Sequence, residues 1–142
     1  MPDIAYWYAY VDLNHRYAFG LDVEGGEGVA DLFTEDGVWD ARDLGYGHLE
    51  GREALQGYFA GSEGRAEAMA HLFANPQVLE VHGDTMRARS YVQGIVVRGG
   101  KEVVRHDVVL YDDELAEVDG EWRYRRRTLR RVLEFRTSRP LR

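Results

Sequence analysis

Two side chains in this sequence are best placed to move a proton. They are His71, in the run His71-Leu72-Phe73-Ala74-Asn75, and Asp22, at the end of the first stretch with helical spacing. Where such a pair meets in an apolar pocket, the carboxylate takes the hydrogen bond of one ring nitrogen and frees the other to act as a base. Tyr17, five residues before Asp22, supplies a phenol that either donates a proton or packs with Leu13 and Leu21. Arg127 supplies a permanent cation, suited to developing negative charge if it faces inward rather than into water with its neighbours. Asn75 falls on the face of His71 by the period of two, and could bind a ligand or a loop backbone. Trp39, Phe73, Met69 and Tyr91 are the large side chains expected either to wall a pocket or to fill the core.

The chain has no cysteine, which removes disulfides, thiolate metal sites and a cysteine nucleophile. His15, His48, His82 and His106 show no mutual metal-ligand spacing, so neither a metal nor a cofactor is implied. A formal net charge of −7 argues against a general nucleic-acid binder. The arginines nevertheless crowd the end of the chain, from Arg123 through Arg125, Arg126, Arg127, Arg130 and Arg131 to Arg142. They read as the outward face of a terminal strand that pairs with an acidic body, with an RNA-binding tail as the alternative. Met1-Pro2-Asp3-Ile4 lacks a basic segment followed by an apolar run, and no hydrophobic stretch is long enough to span a bilayer. A cytoplasmic location without membrane contact is expected.

The elements that must position these residues follow from periodicity. Tyr6, Tyr10, Leu13, Tyr17 and Leu21 recur every three or four residues, which predicts a helix over Ile4 to Leu21. Val29 to Phe33 predicts a short second helix ending near Thr34-Glu35-Asp36-Gly37, then an extended Val38-Trp39-Asp40; Arg52 to Phe59 predicts a third. From His71 onward the pattern turns to strands: His71 to Asn75, Gln77 to Val81, Thr85 to Val97, Val103 to Leu115 and Trp122 to Glu134. His82-Gly83-Asp84, Gly99-Gly100 and Asp119-Gly120 supply the turns between them. Asp112 and Asp113 read as the end of strand pairing. Helices first and a meander after give an α+β class, with N-terminal helices packed in a strongly curved antiparallel sheet. One domain is expected over residues 1–135, followed by a tail over 136–142.

Three segments carry a likeness. Gly20-Leu21-Asp22 precedes Val29-Ala30-Asp31-Leu32-Phe33-Thr34-Glu35-Asp36-Gly37-Val38-Trp39; His71 to Asn75 follows; and Tyr111-Asp112-Asp113-Glu114-Leu115 leads to Val118-Asp119-Gly120-Glu121-Trp122. Together they resemble the SnoaL-like branch of the nuclear transport factor 2-like superfamily, which implies a cone-shaped fold. Within it the motifs are most similar to those of scytalone dehydratase, bile-acid 7α-dehydratase and hexachlorocyclohexane dehydrochlorinase. There an aspartate at the end of the first helix pairs with a histidine on the first long strand, and Asp22 and His71 stand at those positions. Tyr17 matches a tyrosine five residues before that aspartate, and Arg127 an arginine five residues after the hairpin tryptophan, here Trp122.

The pattern also departs from the family. Ser90-Tyr91-Val92-Gln93 offers no second pocket histidine, and Asp40 falls one position before the slot of the isomerase base, where Ala41 stands. The resemblance implies a cofactor-independent lyase of the dehydratase type, or a related isomerase or cyclase, acting on a small hydrophobic and cyclic substrate. The alternative is a protein of the same fold that binds a hydrophobic ligand or assembles without catalysis. A homodimer or homotrimer is expected, because an open curved sheet exposes an apolar outer face.

Overall fold

The computed structural model describes residues 3–61, 66–99 and 102–135, so the expected tail over 136–142 lies outside the described residues. The chain opens with α1 (Ile4–Asp22), whose N-cap Asp3 accepts a hydrogen bond from the Ala5 amide at 3.1 Å. Its buried residues are Tyr10, Leu13, Asn14, Tyr17, Ala18, Gly20 and Leu21, which keep the predicted stripe except the half-buried Tyr6 and add Asn14, Ala18 and Gly20. Then come β1 (Phe33–Asp40), β2 (His48–Glu50) and α2 (Arg52–Phe59). The long strands β3 (Ala68–His82), β4 (Thr85–Arg98), β5 (Glu102–Val118) and β6 (Glu121–Glu134) complete the molecule. They form one six-stranded sheet in the order β2-β1-β6-β5-β4-β3, with α1 lying against β3. The curved, open sheet with its helices on the concave face is the expected α+β cone. Among the described residues no helix is long and apolar enough to cross a membrane.

Three expectations about the elements are corrected. The short helix over Val29 to Phe33 is only a 3-10 turn, Ala30–Leu32, and Phe33 already belongs to β1. Phe33 is fully buried, lies 5.2 Å from the Tyr124 ring and 6.0 Å from the Phe59 ring, and pairs with β6 in place of a further helical turn. Thr34 to Gly37 form a bulge in that strand rather than a helix end. Thr34 Oγ1 donates to Asp36 Oδ1, and Gly37 passes so near Phe33 that a Cβ there would lie 2.8 Å from the Phe33 Cβ. Second, the sheet is not wholly antiparallel, because β1 runs parallel to β6. Third, the two strands expected on either side of Pro76 are one strand, with an irregularity between Ala74 and Gln77 where Asn75 adopts a left-handed backbone, φ 55°.

The pleat sorts the side chains of the long strands. On β5, Asp107, Val109, Tyr111, Asp113 and Leu115 are all buried and share the concave face, while their neighbours are more exposed. On β4 the buried set is Met86, Ala88, Ser90, Val92, Gly94 and Val96. Met69, His71 and Phe73 of β3 turn toward the same interior.

Candidate active site

The helix and the strand that carry the pair are pinned together at both ends. Near one end the Trp7 indole donates to the Pro76 carbonyl at 3.1 Å. At the other, Asp22 Oδ2 accepts from the His71 backbone amide at 2.7 Å, and Asp22 Oδ1 lies 2.6 Å from His71 Nδ1. The carboxylate thus grips one residue by both main chain and ring. Their side chains are 14% and 7% exposed, so little water competes for the contact. Asp22 closes a helix whose C-terminal end already carries partial negative charge. In the neutral ring the contact with the carboxylate holds the proton on Nδ1, which leaves Nε2 as the ring's free acceptor.

His71 lines a cavity of about 50 Å³ between α1, α2 and the concave face, together with Tyr17, Trp39, Met69, Tyr111 and Leu129. The wall is chiefly aromatic and aliphatic. Pockets that enclose a drug-sized ligand measure roughly 300–1,000 Å³, so a ring-sized ligand enters only if lining side chains swing aside.

Tyr17 stands at the centre of the aromatic cluster. Its ring meets those of Phe59, His71, Phe73, Tyr111 and Tyr124 edge to face at centroid distances of 6.0 to 6.2 Å. Trp39 Nε1 donates to its hydroxyl at 3.1 Å, and the Tyr111 hydroxyl is its other polar neighbour. Burial raises the Tyr17 hydroxyl above its ordinary value, although the Arg127 charge pulls the other way. The phenol therefore remains a proton donor at neutral pH.

Arg127 is fully buried but lies behind this ring rather than on the cavity wall. Its guanidinium sits 3.8 Å from the Tyr124 centroid, 4.4 Å from that of Tyr17 and 4.6 Å from that of Tyr111. Nε and Nη2 donate to the two oxygens of Asp113 at 2.9 and 2.8 Å, and Nη2 donates to Asn14 Oδ1 at 2.6 Å. Tyr10 donates to Asp113 Oδ2 at 2.6 Å, and Tyr124 to Asn14 Oδ1 at 2.7 Å. Asp113 is thus a buried partner in mid-strand, not the end of pairing that the sequence suggested.

The remaining sequence candidates separate. Trp39 and Met69 line the cavity. Phe73 stands one layer deeper, its ring 5.4 Å from both Tyr111 and the Arg127 guanidinium. Asn75 is exposed, because the irregularity at Pro76 breaks the alternation that would have kept it beside His71. Tyr91 is 41% exposed and lies on the convex face, opposite in parity to Ser90 and Val92. Sequence reasoning missed Tyr111 and Arg105, both on the wall, and the Asn14–Asp113 support. Parity was the available signal: 105, 107, 109, 111 and 113 alternate in step with the apolar face of β5. Among the described residues no three His, Asp or Glu side chains are arranged to hold a metal ion.

Residues 9–128 match the SnoaL-like domain. The chain belongs to the SnoaL-like family. No curated protein matches this SnoaL-like chain, but solved structures resemble it over nearly its whole length. One is a proposed aromatic ring hydroxylase from Novosphingobium aromaticivorans, 26% identical over 94% of this chain and 93% of that one, with a TM-score of 0.85. A proposed scytalone dehydratase from the same organism is 25% identical over 95% and 91% of the two chains, with a TM-score of 0.79. Rv3472 from Mycobacterium tuberculosis, of unknown function, is 28% identical over 91% and 73%, with a TM-score of 0.76.

Proposed function

We propose that this SnoaL-like protein is a cofactor-independent lyase that removes water, or a comparable leaving group, from a small hydrophobic cyclic substrate. The observation that carries the reading is the 2.6 Å contact of Asp22 Oδ1 with His71 Nδ1, beside a chiefly aromatic and aliphatic cavity that His71 lines. With Nδ1 held, Nε2 takes a proton from the carbon next to a carbonyl. The resulting enolate expels a β-hydroxyl, which receives its proton from His71 or from the Tyr17 phenol. Asp22 and the end of α1 stabilise the imidazolium formed between the two steps. Arg127 acts through Tyr17 and Tyr111, holding the rings in place, rather than by touching substrate. The likeness to a proposed scytalone dehydratase supports the same class of reaction.

The test is proton exchange and turnover on a panel of cyclic β-hydroxy ketones in deuterated water, followed by NMR. His71→Ala and Asp22→Asn are each expected to slow exchange at the activated carbon by roughly 10²- to 10⁴-fold, the range of general base catalysis. Rates unchanged in both variants would discard the pair as the base. Binding without exchange in the unaltered chain would favour a ligand carrier of the same fold.

The reading includes self-association into a dimer or trimer. Leu72, Tyr91, Val104 and Leu133 are 54%, 41%, 52% and 56% exposed on the outer side of adjacent strands, an apolar surface of the kind subunits bury.

A further inference from the structure

The chain is acidic overall, with a net charge of −7, yet its cavity is not. The described lining residues include two arginines, Arg98 and Arg105, and no aspartate or glutamate. Arg105 is the more informative. Its side chain is 9% exposed, and its Nε donates to both oxygens of Asp107 at 2.9 and 2.8 Å. The same carboxylate lies 3.6 Å from Arg131 Nε. One fully buried carboxylate is therefore shared by two guanidiniums, and a net positive charge is left over. Arg105 Nη2 is buried and meets no hydrogen-bond acceptor. A charged donor in that state is unfavourable unless something arrives to accept from it.

Its position relative to the base is set by the sheet register. Gly94 of β4 pairs with His71 on one side and with Asp107 on the other. The two flanking residues thus stand two strand spacings apart, about 10 Å, with a glycine between them. Nothing projects from Gly94; a Cβ there would come 3.2 Å from Arg105 Nη2 and from Asp107 Oδ1. The missing side chain is what lets the Arg105 guanidinium lie over Gly94, on the strand next to the one that carries His71.

We propose that Arg105 binds a carboxylate of the substrate, so that the preferred ligand is a small cyclic acid whose anionic group sits on Arg105 while its ring lies in the cavity that Arg105 and His71 both line. The placement of the reacting carbon at His71 rests on the lyase reading; the recognition of the anion does not. Arg105 Nη2 supplies a charge-assisted hydrogen bond that a neutral amide of the same shape cannot match. The aromatic wall then holds the ring.

The test uses benzoate and cyclohexanecarboxylate as probes, with benzamide and cyclohexanecarboxamide as neutral counterparts, titrated into the full chain at pH 7 by NMR. The unaltered chain is expected to bind each acid at least tenfold more tightly than its amide, and Arg105→Met to erase that preference. Because Arg105→Met also strips Asp107 of its main partner, Gly94→Ala is the second variant. It keeps every charge, obstructs Nη2, and is expected to weaken the acids at least threefold while leaving the amides less affected. His71→Ala is expected to retain the preference while losing proton exchange. Equal affinity for acid and amide, no binding of any probe at millimolar concentration, or a preference intact in both variants overturns the proposal. Exchange without acid preference would remove Arg105 and leave the base; acid preference without exchange would do the reverse.

Discussion

Arg127 and Asp113 face each other directly across β5 and β6, both at 0% exposure, with Tyr10 bonded to the carboxylate and Asn14 to the guanidinium. Such a pair resists the loss of one partner more than the loss of both, because a lone charge is then stranded away from water. Arg127→Met is expected to destabilise the fold by about 3–5 kcal/mol, and Arg127→Met with Asp113→Asn by no more than about half of that, read from urea unfolding. A single variant as stable as the parent would show the pair to be dispensable. At this scale the meeting of Asp22 with His71 was legible because the order of the two residues matched a known motif. Arg105 and Asp113 were not, since a charged residue in a strand reads as outward-facing or terminal unless its parity is checked against apolar neighbours two residues away. Tyr91 and Asn75 erred in the opposite sense. One lay on the wrong parity, and the other was displaced by a break that Pro76, which has no N–H to pair, introduces.

The elements with strong local signals, α1, α2 and the three long hairpin strands, came through because helical and alternating periods are written in contiguous residues. β1 was obscured. Its middle is the polar Thr34-Glu35-Asp36-Gly37 bulge, and its partner β6 lies some ninety residues later, so no local pattern announces the parallel pairing. The end of β1 is fastened electrostatically. Asp40 accepts from Arg42 Nε at 2.9 Å and Nη2 at 2.7 Å, which lowers its carboxyl to about 2. A carboxyl depressed on folding stabilises the fold fully above its ordinary value of 3.8, and that contribution disappears as pH falls through about 2. Asp40→Asn is therefore expected to lower thermal stability at pH 6 and to lose less between pH 4 and pH 2 than the parent, by circular dichroism melts. Parallel acid limbs would remove this role for Asp40.

At the scale of the whole molecule, the sheet divides labour between its faces. The concave side holds the charges that are paired and the rings that fix them, while the convex side leaves Leu72, Tyr91, Val104 and Leu133 uncovered. If subunits meet there, Tyr91→Arg is expected to shift sedimentation toward the monomer without altering the far-ultraviolet spectrum. A parent that already sediments as a monomer at tens of micromolar would count against association.

The support beneath Tyr17 joins distant parts of the polypeptide: Asn14 reaches Arg127 and Tyr124 across 113 and 110 residues. During synthesis at roughly 5–20 residues per second, α1 leaves the ribosome on the order of ten seconds before the strand that will satisfy it. For that interval its greasy stripe has no permanent cover, and Asn14 no partner other than water. Shortened products lacking β6 would share the predicament indefinitely, and so would be natural clients for chaperones.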